Sequence, residues 1–203
     1  MEYYKQSTSF TSAAAGLMSV INHFDPNYSL TKENEFKIWS HSATLPTKGC
    51  SIYGLASYAH PFVDVSLFVE KPEYKFPGYR FKSYKKKEID IATFHSELKR
   101  KQAVDLFIKI AEKDFSFDDI VSLLSEGKVL MVRLIIGILR DSKNNRRNPH
   151  YVPVFKHENG FFHVIDSNRG IKKISSELLR KAFEAVHECH RDNRMMVFDK
   201  KHH

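Results

Sequence analysis

The sequence predicts an α+β fold, in which helices come first and a mostly antiparallel sheet follows. Three features indicate this order. Helix-forming residues dominate the segments between residues 11 and 59, an apolar run begins at Val129, and an Asn159-Gly160 turn separates two alternating segments after it. The chain has 203 residues and contains no internal repeat or low-complexity linker. We therefore expect a single domain over residues 1–203.

Three helices are predicted in the first part of the chain. Thr11 or Ser12 caps the first helix, which ends before Asp25-Pro26. Thr31 opens the second helix because acidic residues follow it in the first turn. The third is short and runs from Ile52 to Ala59, since a proline shortly afterwards prevents its continuation.

The middle of the chain alternates between regular and irregular patterns. Val63–Val69 alternates apolar and polar residues, which predicts a strand. Residues 72–90, approximately, are expected to be an irregular insertion because prolines and a glycine break any period. Apolar residues from Phe94 to Ala111 follow helical spacing, and Phe117–Leu124 predicts another short helix.

The second half of the chain is expected to supply most of the sheet. The run Val129–Leu139 is almost continuously apolar, which is typical of a buried central strand. A polar loop over Asp141–Pro149 leads into a hairpin made of Tyr151–Phe155 and Phe161–Ile165. Ser175 or Ser176 then caps a helix, a last strand covers Met195–Phe198, and residues 200–203 are interpreted as a tail or the remnant of a purification tag.

The formal net charge of +8 at pH 7 favours anionic partners. Lys82 and Lys85–Lys87 cluster around Tyr79 and Tyr84, and Arg146-Arg147 lie in the polar loop. Basic residues mixed with aromatic ones can bind nucleic acid, but no nucleic-acid motif accompanies these. We interpret them as solvated faces and do not expect a nucleic-acid partner.

Other features exclude a membrane-spanning or disulfide-rich protein. No apolar stretch is long enough to span a bilayer, and the N-terminus lacks the pattern of a secretory signal. Cys50 and Cys189 can form at most one bridge and are expected to be buried or idle thiols. We therefore expect a cytoplasmic protein.

The predicted hairpin brings a histidine close to a carboxylate. With its turn centred on Glu158-Asn159, antiparallel pairing matches residues whose numbers sum to about 317, which places His150 opposite Asp166 or Ser167. A carboxylate that orients a histidine is one half of a nucleophile–base–acid arrangement. The alternative is a solvated histidine beside a turn aspartate.

A nucleophile at a helix N-terminus gains a lowered pKa and backbone N–H groups that stabilise an oxyanion. Ser12 stands at the start of the first helix, and Gln6, six residues upstream, can donate its amide to the same oxyanion. The order glutamine, nucleophile, distant histidine and aspartate is that of papain-type enzymes.

These segments resemble the C39-like cysteine peptidases. Tyr3–Ser12, followed by small residues, resembles the opening of that family, where a glutamine precedes a cysteine at the head of a helix. Gly49–Ala56 resembles a Gly-Cys helix start of its standalone members, and Pro149–Val152 with Val164–Asp166 resembles the family's histidine and aspartate strands. The resemblance spans Tyr3 to Asp166 and matches weakly in the middle.

The resemblance implies a papain-like fold in which Gln6 is the oxyanion donor, His150 the base and Asp166 its orienting partner. The family's nucleophilic cysteine maps onto Ser12, and a serine hydroxyl is a poorer nucleophile than a thiol. Three interpretations remain open: an engineered inactivating substitution, a natural loss that leaves a binding module, and a working serine nucleophile.

Other chemistry-bearing residues have simpler interpretations. Cys50 also precedes a short helix and stays open as an alternative nucleophile, although it leaves Gln6 unexplained. The segment His187–His190 lacks a second pair of ligands at metal-binding spacing, so we expect a frayed helix end and no metal. His163 is expected at the surface, and no cofactor is implied.

The sequence thus predicts a hydrolase or acyl transferase that acts on a peptide or related amide. The alternative is a catalytically silent peptide-binding module of the same fold, and a basic nucleic-acid-binding protein is a third interpretation that only the charge supports.

Overall fold

The computed structural model describes residues 1–71, 84–140, 149–189 and 191–201. The described residues form seven helices: α1 Ser12–Phe24, α2 Lys32–Ser42, α3 Ile52–Ala59, α4 Lys86–Asp105, α5 Phe117–Ser125, α6 Ile136–Leu139 and α7 Ser176–Glu188. They also form seven strands: β1 Asp64–Val69, β2 Lys109–Glu112, β3 Val129–Ile135, β4 Pro149–Glu158, β5 Phe161–Asp166, β6 Gly170–Ser175 and β7 Arg194–Asp199.

All seven strands belong to one mixed sheet in the order β2-β1-β7-β3-β4-β5-β6. Within the part of the chain that the structure describes, β1 and β2 are parallel and every other neighbouring pair is antiparallel. The observed order of helices and strands confirms the predicted α+β class with a mostly antiparallel sheet.

Strand β3 lies at the centre of the sheet and contributes side chains to a core on each face. Met131 belongs to the core that α1 and α3 form on one face, whereas Leu130 and Val132 belong to the core with α5 and α7 on the other. A strand that is covered on both faces needs an apolar residue at nearly every position, which explains the unbroken apolar run. Arg133, only 5% exposed, is the exception.

The first three helices begin where the sequence predicts. Thr11 is the N-cap of α1, and Thr31 caps α2 by accepting a hydrogen bond from the backbone N–H of Asn34 at 3.2 Å. The helix after the hairpin is capped by Ser175, which accepts from the N–H of Leu178 at 3.3 Å. Polar side chains that satisfy free N–H groups therefore fix these helix starts.

Several predicted boundaries in the middle of the chain are wrong. The expected irregular insertion ends early, because α4 already begins at Lys86 and covers residues 86–90. The helix expected to reach Ala111 ends at Asp105, and Lys109–Glu112 instead pairs with β1 as strand β2. The strand expected over Val129–Leu139 ends at Ile135 and turns into α6.

Other expectations fall outside the described residues. These are the chain from 72 to 83 with Tyr79 and Lys82, the polar loop from 141 to 148 with Arg146-Arg147, residue 190 and the terminal 202–203. Of the helices in the described ranges, not one has the length and apolarity required to cross a bilayer.

The hairpin between β4 and β5 turns at Asn159-Gly160, and both residues have positive φ angles, 51° and 75°. Such a two-residue turn matches the twist of antiparallel strands. The predicted register, centred one residue earlier, is wrong: Glu158 pairs with Phe161, and after a bulge Val154 pairs with Val164. The bulge and the later turn change the sums of the paired residue numbers from the expected 317.

Close contact between α2 and α3 depends on Gly54. A Cβ atom at this position would lie 2.7 Å from the Cα of Ser42, so the two backbones would have to separate. We expect Gly54→Ala to lower the free energy of unfolding by about 1–3 kcal/mol, although alanine is the better helix former. Chemical denaturation measures this change. Gly49→Ala is the control, since its Cβ would have no neighbour nearer than 3.8 Å, and equal stabilities of the two variants would contradict the explanation.

Candidate active site

Small residues in α1 allow this helix to lie directly against the sheet. A Cβ atom at Gly16 would come within 3.1 Å of Pro153 on β4 and 3.3 Å of Met131 on β3. Gly16 is one helical turn after Ser12, and Pro153 is three residues after His150. The close approach of helix and strand therefore brings the start of α1 next to the start of β4.

Ser12 and His150 are in hydrogen-bond contact. The Ser12 Oγ lies 3.0 Å from the His150 Nδ1, although the two residues are 138 positions apart in the chain. Ser12 is the first residue of α1, so its backbone N–H belongs to the group of helix N-terminal donors that lack a partner within the helix. A hydroxyl, an imidazole and a free helix terminus thus meet at one point.

The environment of His150 favours its neutral form. Burial lowers the pKa of the imidazole to about 4, and the positive charge of Arg140 lowers it further, whereas Asp166 opposes the shift. The imidazole is therefore neutral at neutral pH, and with its proton on Nε2 its Nδ1 accepts the Ser12 hydroxyl proton. This is the arrangement that a general base for a hydroxyl nucleophile requires.

Asp166 is held by an arginine. Arg140 Nε and Nη2 donate to the two carboxylate oxygens, each at 2.6 Å, and the backbone N–H of Asn168 donates to Oδ1 at 2.9 Å. Burial would raise the pKa of Asp166, but the bonds from Arg140 and Asn168 outweigh it and hold the pKa below its usual value. Within the described ranges Asp166 has no hydrogen bond to His150, on which it acts through its charge.

Removing the charge of Arg140 should make His150 a stronger base. We expect Arg140→Gln to raise the pKa of His150 above about 4, because the repulsion by the guanidinium disappears and the Asp166 carboxylate is no longer neutralised. Burial remains, so the pKa should stay below 6.5. NMR titration of the imidazole measures it, with Arg180→Gln, which removes an exposed arginine paired to Asp118, as the control. An unchanged pKa in Arg140→Gln would show that Arg140 does not tune the base.

Gln6 lies in the loop before α1, but its amide is turned away from the nucleophile position. The Gln6 Nε2 donates to the carbonyl of Thr8 at 2.5 Å. Its backbone N–H donates to the carbonyl of Ser167 at 2.8 Å, and the Ser167 hydroxyl donates to the carbonyl of Ser12 at 2.9 Å. Ser167 therefore joins the Gln6 loop, the start of α1 and the chain next to Asp166.

A buried carboxylate also anchors this loop. Glu35 on α2 is fully buried, and its Oε1 accepts the backbone N–H of Ser7 at 2.8 Å. The sequence analysis did not identify Glu35, because a glutamate in the first turn of a helix is typical of ordinary helix stabilisation. Arg140 was missed for a similar reason, since nothing local marks it as the partner of Asp166.

Ser12 and His150 face a cleft of about 430 Å³. The loop between α2 and α3 forms one wall and contributes Thr44, Lys48 and Cys50. Burial raises the pKa of the Cys50 thiol to about 11, and a hydrogen bond with Ser42 only partly offsets this. Cys50 is therefore a protonated thiol at neutral pH, which argues against it as the nucleophile.

The remaining histidine and cysteine candidates have structural partners. His163, partly buried, lies 2.9 Å from Glu158, His187 lies 2.8 Å from Glu70, and Cys189 is buried. In the portion of the chain that is described, no three histidine, cysteine or acidic side chains are grouped as metal ligands would be.

The comparison with known protein families agrees with the resemblance of the motifs. The model of a peptidase C39-like family matches residues 1–202. Among curated proteins, none matches this sequence. Because the family model covers nearly the whole chain, this protein belongs to the peptidase C39-like family.

Proposed function

We propose that the cleft is a papain-type acyl-transfer site that acts on a peptide or related amide bond. The observation that carries this proposal is the 3.0 Å contact between Ser12 Oγ and His150 Nδ1 at the N-terminus of α1. The residue at position 12 attacks the carbonyl carbon, and His150 takes its proton and passes it to the leaving amine. A covalent acyl intermediate forms and is then transferred to water or to an amine.

The oxyanion in this mechanism is stabilised by the Ser12 backbone N–H and by the Gln6 amide. The helix N-terminus supports the negative charge. Gln6 has to exchange its hydrogen bond with Thr8 for one with the oxyanion, which a rotation of its side chain accomplishes. Asp166 stabilises the protonated His150 through its charge, and Arg140 fixes its orientation.

Position 12 determines how well this site works. A neutral imidazole accepts a proton from a hydroxyl, but a pKa of about 4 makes it a weak base at neutral pH. A cysteine would supply a more acidic and more nucleophilic group to the same imidazole. We therefore expect Ser12→Cys to be more active than the chain with serine.

The proposal is tested by incubating the Ser12→Cys protein with a peptide mixture and measuring covalent adducts and new peptide ends by mass spectrometry. An acyl adduct on the introduced cysteine, absent from the same protein with His150→Ala, is the expected result. Peptides that co-purify with both variants and remain intact would contradict it and would support a silent binding module. That alternative is favoured by the serine itself, and the free thiols Cys50 and Cys189 are consistent with a cytoplasmic location for either activity.

A further inference from the structure

The cleft beside Ser12 and His150 is strongly basic. Its lining includes Lys48, Arg133, Arg191 and Arg194, whereas no aspartate or glutamate of the described ranges lines it. The net charge of the whole chain does not account for this, because acidic side chains are common elsewhere on its surface. The charge of the cleft is therefore a local property of the candidate site.

The sheet register places two of these arginines close to the catalytic pair. Arg133 pairs with Tyr151, the neighbour of His150, across β3 and β4. Val132 pairs with Met195 across β3 and β7, so the same register places Arg133 beside Arg194. With about 4.8 Å between strands, the backbone of Arg194 lies roughly 10 Å from that of Tyr151. The basic row thus crosses three adjacent strands and ends at the histidine.

Burial strengthens the field of these arginines. Arg133 is 5% exposed and Arg194 1% exposed. They share the carboxylate of Asp192, which accepts from Arg133 Nη1 at 3.1 Å and from Arg194 Nε at 2.5 Å. Two guanidinium groups and one carboxylate leave a net positive charge, and charges interact more strongly where water is excluded.

Fold stability does not explain why both arginines face the cleft. An ion pair serves only the fold equally well with one cation for each anion, and a surplus buried cation costs desolvation energy. Arg191 and Lys48 add two more positive charges at the less buried rim. The arrangement suits a planar anion, because guanidinium groups match the geometry of a carboxylate.

We propose that the substrate carries a carboxylate next to the bond that is attacked, and that Lys48, Arg133, Arg191 and Arg194 attract it into the cleft. The carboxylate belongs either to an acidic side chain or to a free C-terminus, which share this chemistry. The inference rests on the proposed function, since it names the kind of substrate that the same site accepts.

The test compares two alkylating reagents on the Ser12→Cys protein: iodoacetate, which is an anion, and iodoacetamide, its neutral analogue. The ratio of their rates at the introduced cysteine, mapped by mass spectrometry, reports the charge of the cleft. We expect this ratio to exceed that of the urea-unfolded protein by about fivefold, the effect of one favourable charge contact.

Matched variants assign this ratio to the named residues. His150 is present in all of them, so any attraction by its protonated form cancels. Lys48→Gln with Arg191→Gln should lower the ratio by about threefold or more, whereas Lys172→Gln with Lys181→Gln, which removes two exposed charges on β6 and α7, should leave it unchanged. A ratio equal to that of the unfolded protein, or one that both double variants change equally, would overturn the proposal.

Failure of this proposal is distinguishable from failure of the proposed function. The iodoacetamide rate alone reports activation of position 12, whereas only the ratio reports the charge. Protection of the introduced cysteine by acetyl-Ala-Glu-Ala-amide or by acetyl-Ala-Gln-Ala with a free carboxyl end, but not by acetyl-Ala-Gln-Ala-amide, identifies the source of the carboxylate and supports the proposal. Equal protection by all three peptides would contradict it.

Discussion

Asp192→Ala is expected to lower the free energy of unfolding by about 3–5 kcal/mol, the largest effect that we expect of a single substitution. The change leaves the buried guanidinium groups of Arg133 and Arg194 without the carboxylate that they share. Both side chains lie in the interior at the ends of the central strands β3 and β7, so solvent cannot replace the lost anion. Denaturant unfolding monitored by circular dichroism measures the change.

Asp118→Ala is the matched control for this prediction. Asp118 accepts from Arg180 at 3.2 Å, but its side chain is 84% exposed and that of Arg180 is 48% exposed. An exposed pair contributes little, so the control should change the free energy of unfolding by less than about 1 kcal/mol. Similar effects of the two substitutions would show that burial does not strengthen the Asp192 interactions.

The free energy of unfolding should fall between pH 6.5 and about 4 because of His150. Above pH 6.5 the imidazole is neutral in the folded and the unfolded chain, and its contribution does not change. Below pH 6.5 the unfolded chain binds a proton that the folded protein binds only near pH 4, so protonation favours unfolding. The difference in pKa corresponds to about 3 kcal/mol.

His150→Asn isolates this contribution, because asparagine does not titrate in this range. The decrease in the free energy of unfolding from neutral pH to pH 4 should be about 3 kcal/mol smaller in His150→Asn than in the unchanged protein. The same dependence on pH in both proteins would contradict the neutral, buried state of His150, and with it the role of this residue as a base at neutral pH.

Local sequence signals predicted the elements that local chemistry determines. Thr31 and Ser175 cap helices through their own hydroxyl groups, and Asn159-Gly160 turns a hairpin because both residues accept positive φ. The central strand β3 was predicted because burial on both faces requires apolar residues. Each of these signals lies within a few residues of the element that it defines.

The elements that were missed depend on distant partners. The helix α4 packs through Ala92 and Ala103, while Phe94 and Leu98 are about half exposed at 58% and 49%, so the largest apolar residues do not mark its buried face. Strand β6 has a single buried residue, Ile174, which is too weak a pattern to predict a strand.

The same distinction applies to the candidate site. Ser12 and His150 were selected through their similarity to a family, because no local pattern joins residues 138 positions apart. Arg140 and its partner Asp166 are 26 positions apart, and Arg133 and Asp192 are 59 positions apart. Only the assembled sheet brings these charges together, so the carboxylate–arginine pair and the basic cleft were found in the structure.

The central claim, that the start of α1 and His150 form a working nucleophile–base pair, is tested most directly by alkylation of the Ser12→Cys protein with iodoacetamide at mildly acidic pH. The introduced thiol should react far faster than Cys50, whose pKa of about 11 keeps it protonated, and faster than the buried Cys189. His150→Ala in the same protein should abolish this advantage. An introduced thiol that reacts no faster than the two native cysteines, or equally fast without His150, would contradict the claim.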